Sequence, residues 1–308
     1  MRRLKLPILF LFVMFTVGLL TLTACSSTRY ETNVHEVNEQ FRNISITTST
    51  ADIAIVPTDD EIVKIVCYEK TRISHFVKVQ NDTLVIEEFN EQKWYDRIGN
   101  LRKQKITVYL PRLEYLSLVI EESTGDVEIS KNFKFKSIDV SLSTGDVKCC
   151  ASAETVKIVA STGDVYAGGI SVSLLDITVS TGDVMVSDVV CSGDVTIGVS
   201  TGDTNIIDVE CKNLISTGRT GEISLKNVRV AEKISITRST GDVSFNKSDA
   251  AELFVTTSTG DVEGSLLTDK IFIVKTDTGR VSVPNSITGG RCEITTDTGD
   301  IEILISKG

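Results

Sequence analysis

Apolar and polar residues alternate along most of the chain with a period of two, and this alternation predicts β-strands that bury one face. A repeat organises the pattern, because a Thr-Gly pair, usually followed by an acidic residue, recurs ten times. The glycines lie 20, 18, 19, 20, 19, 20, 19, 19 and 20 residues apart. They are Gly125, Gly145, Gly163, Gly182, Gly202, Gly221, Gly241, Gly260, Gly279 and Gly299. Spacing this regular predicts a repeat architecture.

Alignment of the copies on the glycine places apolar residues in fixed columns. Residues 175 and 177, for example, precede Gly182 by seven and five positions, and residues 184 and 186 follow it by two and four. A weaker apolar column lies seven and nine positions after the glycine, at residues 189 and 191. Each period therefore predicts three short strands with one inward face, bent at the Thr-Gly-Asp corner.

Three strands in nineteen to twenty residues suit one coil of a β-solenoid, in which neighbouring coils pair and like residues stack. At about 4.8 Å per coil, ten coils would form a rod of roughly 50 Å. An antiparallel array of β-hairpins is the alternative, because Gly-Asp also suits a two-residue hairpin turn. The single strong turn signal per period and the constant repeat length favour an all-β, elongated β-solenoid.

The solenoid register predicts two local features. Glycine at each corner admits a backbone with φ above zero. Cys191 and Cys211 occupy the same column of successive copies, so their Cα atoms should lie about 4.8 Å apart, against about 10 Å in a hairpin array. Whether the two cysteines form a disulfide is left open by the sequence, because side chains on in-register parallel strands run side by side and strain the required dihedral angle.

The first 25 residues predict export. Arg2, Arg3 and Lys5 precede an apolar run over residues 6–20, which is the layout of a secretory signal. The sequence Leu-Thr-Ala-Cys that ends at Cys25 resembles the lipobox of bacterial lipoproteins. This resemblance implies cleavage before Cys25 and attachment of diacylglycerol to its thiol. Two or three acyl chains would anchor the protein durably, on the outer side of the cytoplasmic membrane or in the outer membrane.

Four regions follow from these features. We assign residues 1–24 to the signal peptide, 25–40 to the lipidated cysteine and its tether, 41–122 to a degenerate β-repeat region, and 123–308 to the regular repeats. The degenerate region has Ala51 where a corner glycine is expected, and a charged aromatic stretch with Trp94, Tyr95 and Arg97. That stretch is a candidate contact for a sugar or protein partner, although we prefer to interpret it as a cap on the open end of the solenoid.

Charge excludes one class of partner. The chain of 308 residues has a formal net charge of −10, and its first 25 residues hold no acid, so the body is still more acidic. The phosphate backbone repels such a body, and we expect no nucleic-acid binding. The membrane is expected to be reached through the lipid on Cys25.

Candidate chemistry is sparse. The two histidines, His35 and His75, lie outside the regular repeats and in no recognisable motif, and Cys149 and Cys150 are adjacent rather than spaced for a metal. We therefore predict no catalytic residue, metal or cofactor. The acids after the corner glycines would stack about 5 Å apart, where each caps its own turn or a divalent cation bridges them. We favour capping for this ladder: Asp126, Asp146, Asp164, Asp183 and Asp203.

The order of these motifs resembles a known family. An early STADIAIVP strand at residues 49–57 precedes an Ile-Thr-Val-Tyr-Leu-Pro segment at 106–111, and repeated Ser-Thr-Gly-Asp-Val corners follow. This resembles the bacterial "putative adhesin" or DUF4097 family over residues 40–308. The resemblance implies a β-helical fold and frequent export to the cell envelope. Arg280 in place of Asp, and Ala51 in place of Gly, depart from the pattern.

These observations together predict a lipid-anchored β-solenoid that serves the cell envelope as a binding or structural protein and not as an enzyme. Its partner would be an envelope component, a polysaccharide or a protein. The alternative is a polysaccharide-active enzyme on the same scaffold. That enzyme would need a groove in which two carboxylates converge with one basic residue.

Overall fold

A computed structural model of the chain describes residues 30–71, 73–90 and 104–306. These residues form 25 strands and no helix, and they fold into a β-solenoid of about nine turns. Among them, no segment forms a helix that could cross a membrane. The predicted solenoid is therefore confirmed.

Seven strands form the N-terminal end of the molecule. They are β1 (Tyr30–Val37), β2 (Asn43–Thr48), β3 (Ala51–Thr58), β4 (Val63–Lys70), β5 (Ile73–Gln80), β6 (Thr83–Asn90) and β7 (Gln104–Pro111).

Eighteen strands form the rest. They are β8 (Glu114–Thr124), β9 (Val127–Ile129), β10 (Lys134–Thr144), β11 (Val147–Cys149), β12 (Ser152–Thr162), β13 (Val165–Val172), β14 (Leu174–Thr181), β15 (Val184–Cys191), β16 (Asp194–Thr201), β17 (Thr204–Thr220), β18 (Ile223–Lys226), β19 (Arg229–Thr237), β20 (Val243–Thr259), β21 (Val262–Leu266), β22 (Lys270–Thr278), β23 (Val281–Ser282), β24 (Gly290–Thr298) and β25 (Ile301–Ile305).

Each coil has three faces. The first face precedes the corner glycine, the second follows it, and the third carries the weaker apolar column. From β8 onward the pairings between coils are parallel, and residues of one column stack on residues of the same column. Ile177, for instance, pairs with Ile158 on one side and Ile197 on the other. This register excludes the hairpin array for the regular repeats.

A second corner separates the second and third faces. It uses a residue with φ between +52° and +66°, six positions after the corner glycine. This left-handed conformation suits Gly, Asn and Asp, because a short polar side chain can bond locally to the backbone. The residues are Gly169, Asp188, Asp208, Asn227 and Lys247. The sequence analysis did not recognise this corner, because the residue type varies from copy to copy.

The predicted apolar columns form the core. The structure adds one more buried column on the first face, three positions before the corner glycine, with Leu142, Ala160, Val179 and Val199 in the central coils. Towards both ends the same column turns polar, and this hid it in the sequence. Its polar members include Thr48, Glu122, Arg238, Thr257 and Thr296, all buried.

The N-terminal end is built in both directions from the coil formed by β2 and β3. This coil pairs with β8 and β9 on one side and with β6 and β7 on the other, in parallel. Antiparallel strands then cover the end, with β5 on β6, β4 on β7 and β1 on β4. We call β1, β4 and β5 the antiparallel cap. It protects strand edges that would otherwise be open to pairing.

At the C-terminal end the coils do not stack in chain order. The coil of β24 and β25 lies between that of β20 and β21 and that of β22 and β23. The penultimate coil in sequence is therefore the outermost in space. Ile271 and Ile273 on β22 are consequently about half exposed, at 44% and 50%.

Candidate functional site

The corner glycines adopt the conformation that the sequence predicted. Nine of the ten have φ between +129° and +156°, and Gly125 is the exception. A Cβ on Gly125 would nevertheless lie 2.3 Å from the carbonyl oxygen of Ala51 in the neighbouring coil. The corners are therefore closed to any side chain, either by conformation or by the adjacent backbone.

The acids after these glycines form a hydrogen-bonded ladder. The Oδ1 atom of each Asp accepts the backbone N–H of the acid in the adjoining coil, as from Asp183 to Asp164 at 2.8 Å and from Asp203 to Asp183 at 2.8 Å. The same bond joins Asp126, Asp146 and Asp164. Each carboxylate therefore caps the next coil rather than its own turn. This use is structural, and one oxygen of each ladder carboxylate is already committed to it.

The position of Arg280 at the end of the ladder explains why this corner has an arginine in place of an aspartate. Asp300 accepts the backbone N–H of Arg280 at 2.7 Å, because the coils are out of chain order here. Among the described residues Arg280 ends the ladder, and its Nε and Nη2 atoms donate to the other oxygen of Asp300 at 3.0 and 2.6 Å. Hydrogen bonding to the guanidinium lowers the pKa of Asp300 below its usual range. An arginine at the last corner thus neutralises the terminal carboxylate.

Cys191 and Cys211 are neighbours in adjacent coils. They directly follow Val190 and Glu210, which are paired in register between β15 and β17. Both cysteines are buried, and they are free thiols like the four other described cysteines. Burial raises the pKa of Cys211 to about 12 and also raises that of Cys191. The predicted adjacency is confirmed, and the two thiols are buried members of the third-face column.

A groove of about 1140 Å³ runs along the end of the third face in the C-terminal half, and we call it the third-face groove. It crosses successive coils from Val190 on β15 to Gly290 on β24. Val190 is 56% exposed, whereas Ala250 beneath the groove is buried. Glu210 and Arg229 bring opposite charges to its wall. The groove is thus an open, elongated surface of apolar and mixed charged residues.

A buried ion pair lies in this groove. Lys270 at the start of β22 is 2% exposed, and its Nζ atom lies 2.6 Å from Oδ1 of Asp249 on β20. The same Nζ donates to Oγ1 of Thr268 at 2.5 Å. Oδ2 of Asp249 is buried and has no hydrogen-bond partner in the described part of the chain. The pair joins the outermost coil to the body at the point where the coil order changes.

A second groove, of about 510 Å³, lies at the N-terminal end and contains Glu88, Glu121 and Glu122. Glu122 is 5% exposed, and its Oε1 atom accepts the backbone N–H groups of Thr124 at 3.0 Å and Ala51 at 3.3 Å. Burial raises the pKa of Glu122 to about 7, and the charge of Glu88 adds to the effect. Three carboxyl groups therefore line this groove, but no basic residue lines it in the described chain.

The remaining predicted residues divide between the cap and the undescribed segments. Cys25, Trp94, Tyr95 and Arg97 lie outside the described residues, so lipidation and partner contact stay predictions. His35 is on β1 and His75 on β5, which places both histidines in the antiparallel cap.

Comparison with known proteins identifies the repeat. The sequence model of the Toastrack DUF4097 family matches residues 41–206 and 192–308. No curated protein sequence matches the chain. The chain is similar to a crystal structure from Parabacteroides distasonis named "putative lipid binding protein", with a TM-score of 0.50 and 14% identity. The match covers 89% of this chain and 97% of that protein. A second from the same organism, named "putative adhesin", is similar over 90% and 98%, with a TM-score of 0.47 and 11% identity.

Proposed function

Because the chain belongs to the Toastrack DUF4097 family, we propose that it is an exported, lipid-anchored protein of the cell envelope that acts by binding a partner and not by catalysis. The observation that carries this proposal is the third-face groove, which crosses several coils of a rigid scaffold. An elongated groove on stacked repeats suits an extended ligand, because successive coils offer repeated contacts along one direction.

The groove favours a partner of little net charge. Its wall combines exposed apolar surface at Val190 with both acidic and basic side chains, including Glu210, Lys212 and Arg229. A polysaccharide strand or an extended protein segment would meet these requirements, since either can align with repeated apolar and polar contacts. The name of the similar lipid-binding protein agrees with a binding role, although the likeness to it is one of fold.

The anchor supports the location of this activity. Cys25 follows an apolar signal segment, and acyl chains on its thiol would hold the solenoid at a membrane surface. Metabolic labelling with a fatty-acid analogue should mark the wild-type chain and leave Cys25→Ser unmarked. Equal labelling of both would exclude lipidation at this residue.

A pair of matched variants tests the groove. Val190 and Met185 are both exposed apolar residues of β15, at 56% and 41%, but Val190 lines the third-face groove and Met185 lies on the second face. We expect Val190→Glu to weaken binding of the Cys25→Ser protein to isolated cell envelopes, because it buries a charge under the ligand. Met185→Glu should bind as before.

The same assay identifies the partner class. Digestion of the envelopes with a muramidase should abolish binding if the partner is a glycan, and digestion with a protease should do so if it is a protein. Equal binding by both glutamate variants would show that the groove is not the binding surface.

The enzyme alternative has one observation in its favour. Glu122, with a pKa of about 7, and Glu88 provide a proton-donating carboxyl and a second carboxylate in one groove, which is the equipment of a glycosidase. Against it, backbone amides already hold one oxygen of Glu122. Release of sugar from envelope polysaccharide by the wild type, and its loss in Glu122→Gln, would favour the enzyme.

A further inference from the structure

Three buried side chains with metal-binding atoms meet at the capped end of the solenoid. Cys67 and Glu69 face inward from β4, and His75 faces inward from β5; they are 0%, 3% and 4% exposed. The thiol sulfur, a carboxylate oxygen and a ring nitrogen all lie within 4.8 Å of one another. Since zinc binds such atoms at about 2.0–2.3 Å, a single ion could contact all three after small side-chain shifts.

The fold brings these residues together from two strands that pair with different partners. β4 pairs with β7 and β5 pairs with β6, so the two strands cover different faces of the same end layer. Their inward side chains therefore approach each other across the core. Alternation along β4 places Cys67 and Glu69 on the inner face together. In the sequence this arrangement is visible only as Cys-x-Glu followed six residues later by His.

The surrounding contacts orient two of the three groups. Oε2 of Glu69 accepts a hydrogen bond from Nδ2 of Asn33 at 2.8 Å, and Oε1 accepts the backbone N–H of His75 at 2.8 Å. Nε2 of His75 lies 3.4 Å from Oγ1 of Thr48. This Thr48 hydroxyl donates a hydrogen bond to Oε2 of Glu88 at 3.0 Å. A histidine ligand commonly gives its second ring N–H to such an oxygen, which fixes the ring and leaves Nδ1 for the metal.

We propose that Cys67, Glu69 and His75 bind one zinc ion that ties the antiparallel cap to the first coils of the solenoid. Thiolate, carboxylate and neutral imidazole are zinc ligands, and the two anions balance the charge of the ion in a buried site. Nδ1 of His75 now lies 2.9 Å from Oε1 of Glu69, and the zinc would take the place of this contact. The fourth position would be filled by water.

The test uses the complete chain refolded from denaturant with a thiol-free reductant, because a buried site exchanges metal slowly. Zinc is titrated against a chromophoric chelator, and we expect one equivalent bound. Cys67→Ala should weaken zinc binding by at least about 100-fold, because removal of a residue that only supports a ligand can already cost about that much. Cys149→Ala is the matched control, since Cys149 is equally buried but lies in an apolar column of the regular repeats. It should bind as the wild type does.

A second measurement needs no variant and covers the case in which Cys67→Ala does not fold. Cobalt(II) in place of zinc should give a thiolate-to-cobalt charge-transfer band, because Cys67 is the one thiol of the cluster. Absence of stoichiometric metal binding, equal affinity in Cys67→Ala, or a cobalt spectrum without the thiolate band would each overturn the proposal. The cluster would then be a Glu69–His75 ion pair beside a buried thiol.

Discussion

Replacement of one corner glycine measures how much the stacked backbone depends on it. Gly202 has φ of +137°, and a Cβ added there would lie 2.1 Å from the carbonyl oxygen of Gly182 and 2.6 Å from its carbonyl carbon. These are backbone atoms of the adjacent coil, so no side-chain rotation can relieve the contact. In Gly202→Ala the corner must therefore shift, and with it the N–H of Asp203 that bonds to Asp183.

Two effects set the magnitude. A non-glycine residue in this region of φ costs about 1–3 kcal/mol, and forcing a methyl group into a closed contact costs about 1–3 kcal/mol more. The free energy of unfolding should thus fall by about 2–6 kcal/mol. For a body of this size, about 2–4 °C of melting temperature is lost per kcal/mol, so we expect a fall on the order of 10 °C.

Gly198→Ala is the control in the same coil. Gly198 lies within β16 without a positive φ, and a Cβ there would meet only hydroxyls of Thr217 and Thr178, at 3.6 and 3.8 Å. That change should be neutral or stabilise by about 0.4–1 kcal/mol, because alanine restricts the unfolded chain. Circular dichroism during heating compares the two variants. Melting of Gly202→Ala within about 2 °C of the wild type would refute the account of the corner.

Three further changes test buried polar groups. Burial raises the pKa of Glu122 to about 7 in the folded state, so the folded protein holds this proton more tightly than the unfolded chain. The protein should therefore lose about 3 kcal/mol of stability as pH rises from about 4 to about 7. The melting temperature of Glu122→Gln should lack this fall, and the same pH profile in the variant and the wild type would contradict the prediction. Arg238 is 2% exposed, and its Nε and Nη1 atoms have no hydrogen-bond partner in the described chain. Arg238→Met should therefore preserve or raise the urea midpoint of unfolding. A fall of more than about 2 kcal/mol in the free energy of unfolding would show that the charge is required. Asp249→Asn leaves Lys270 buried without its counterion and should lower the free energy of unfolding by about 3–5 kcal/mol. The double variant Asp249→Leu with Lys270→Met should recover most of this loss. Failure of the double variant to recover stability would show that the ion pair itself stabilises the fold.

The regular repeats were predictable because almost every copy places apolar residues at the same distances from its corner glycine. Residues such as Ile177 recur at a fixed distance from a glycine, and ten copies made the inward columns and the corner visible. Parallel register followed from the constant length of the repeat. The adjacency of Cys191 and Cys211 was a direct consequence.

The features that escaped prediction are those in which the copies differ. The second corner alternates among Gly, Asp, Asn and Lys, so no single residue type marks it even when the copies are aligned on the corner glycine. The column that contains Glu122 and Arg238 is apolar only in the middle coils. The Cys67–Glu69–His75 cluster depends on antiparallel pairing of β4 with β7, which is distant in sequence, and no local pattern encodes that pairing.

The insertion of β24 between β20 and β22 affects the order in which the described coils can be completed during synthesis. The chain emerges with residue 270 before residue 290, yet in the described structure β24 is the only strand that pairs with β22. The segment from 270 to 283 therefore has no pairing partner until residues 290–305 have been synthesised. A chain cleaved or stalled before that point exposes two strand edges, which invite pairing with other chains or digestion. In the described structure, residues 290–305 are thus what holds the outermost coil on the solenoid.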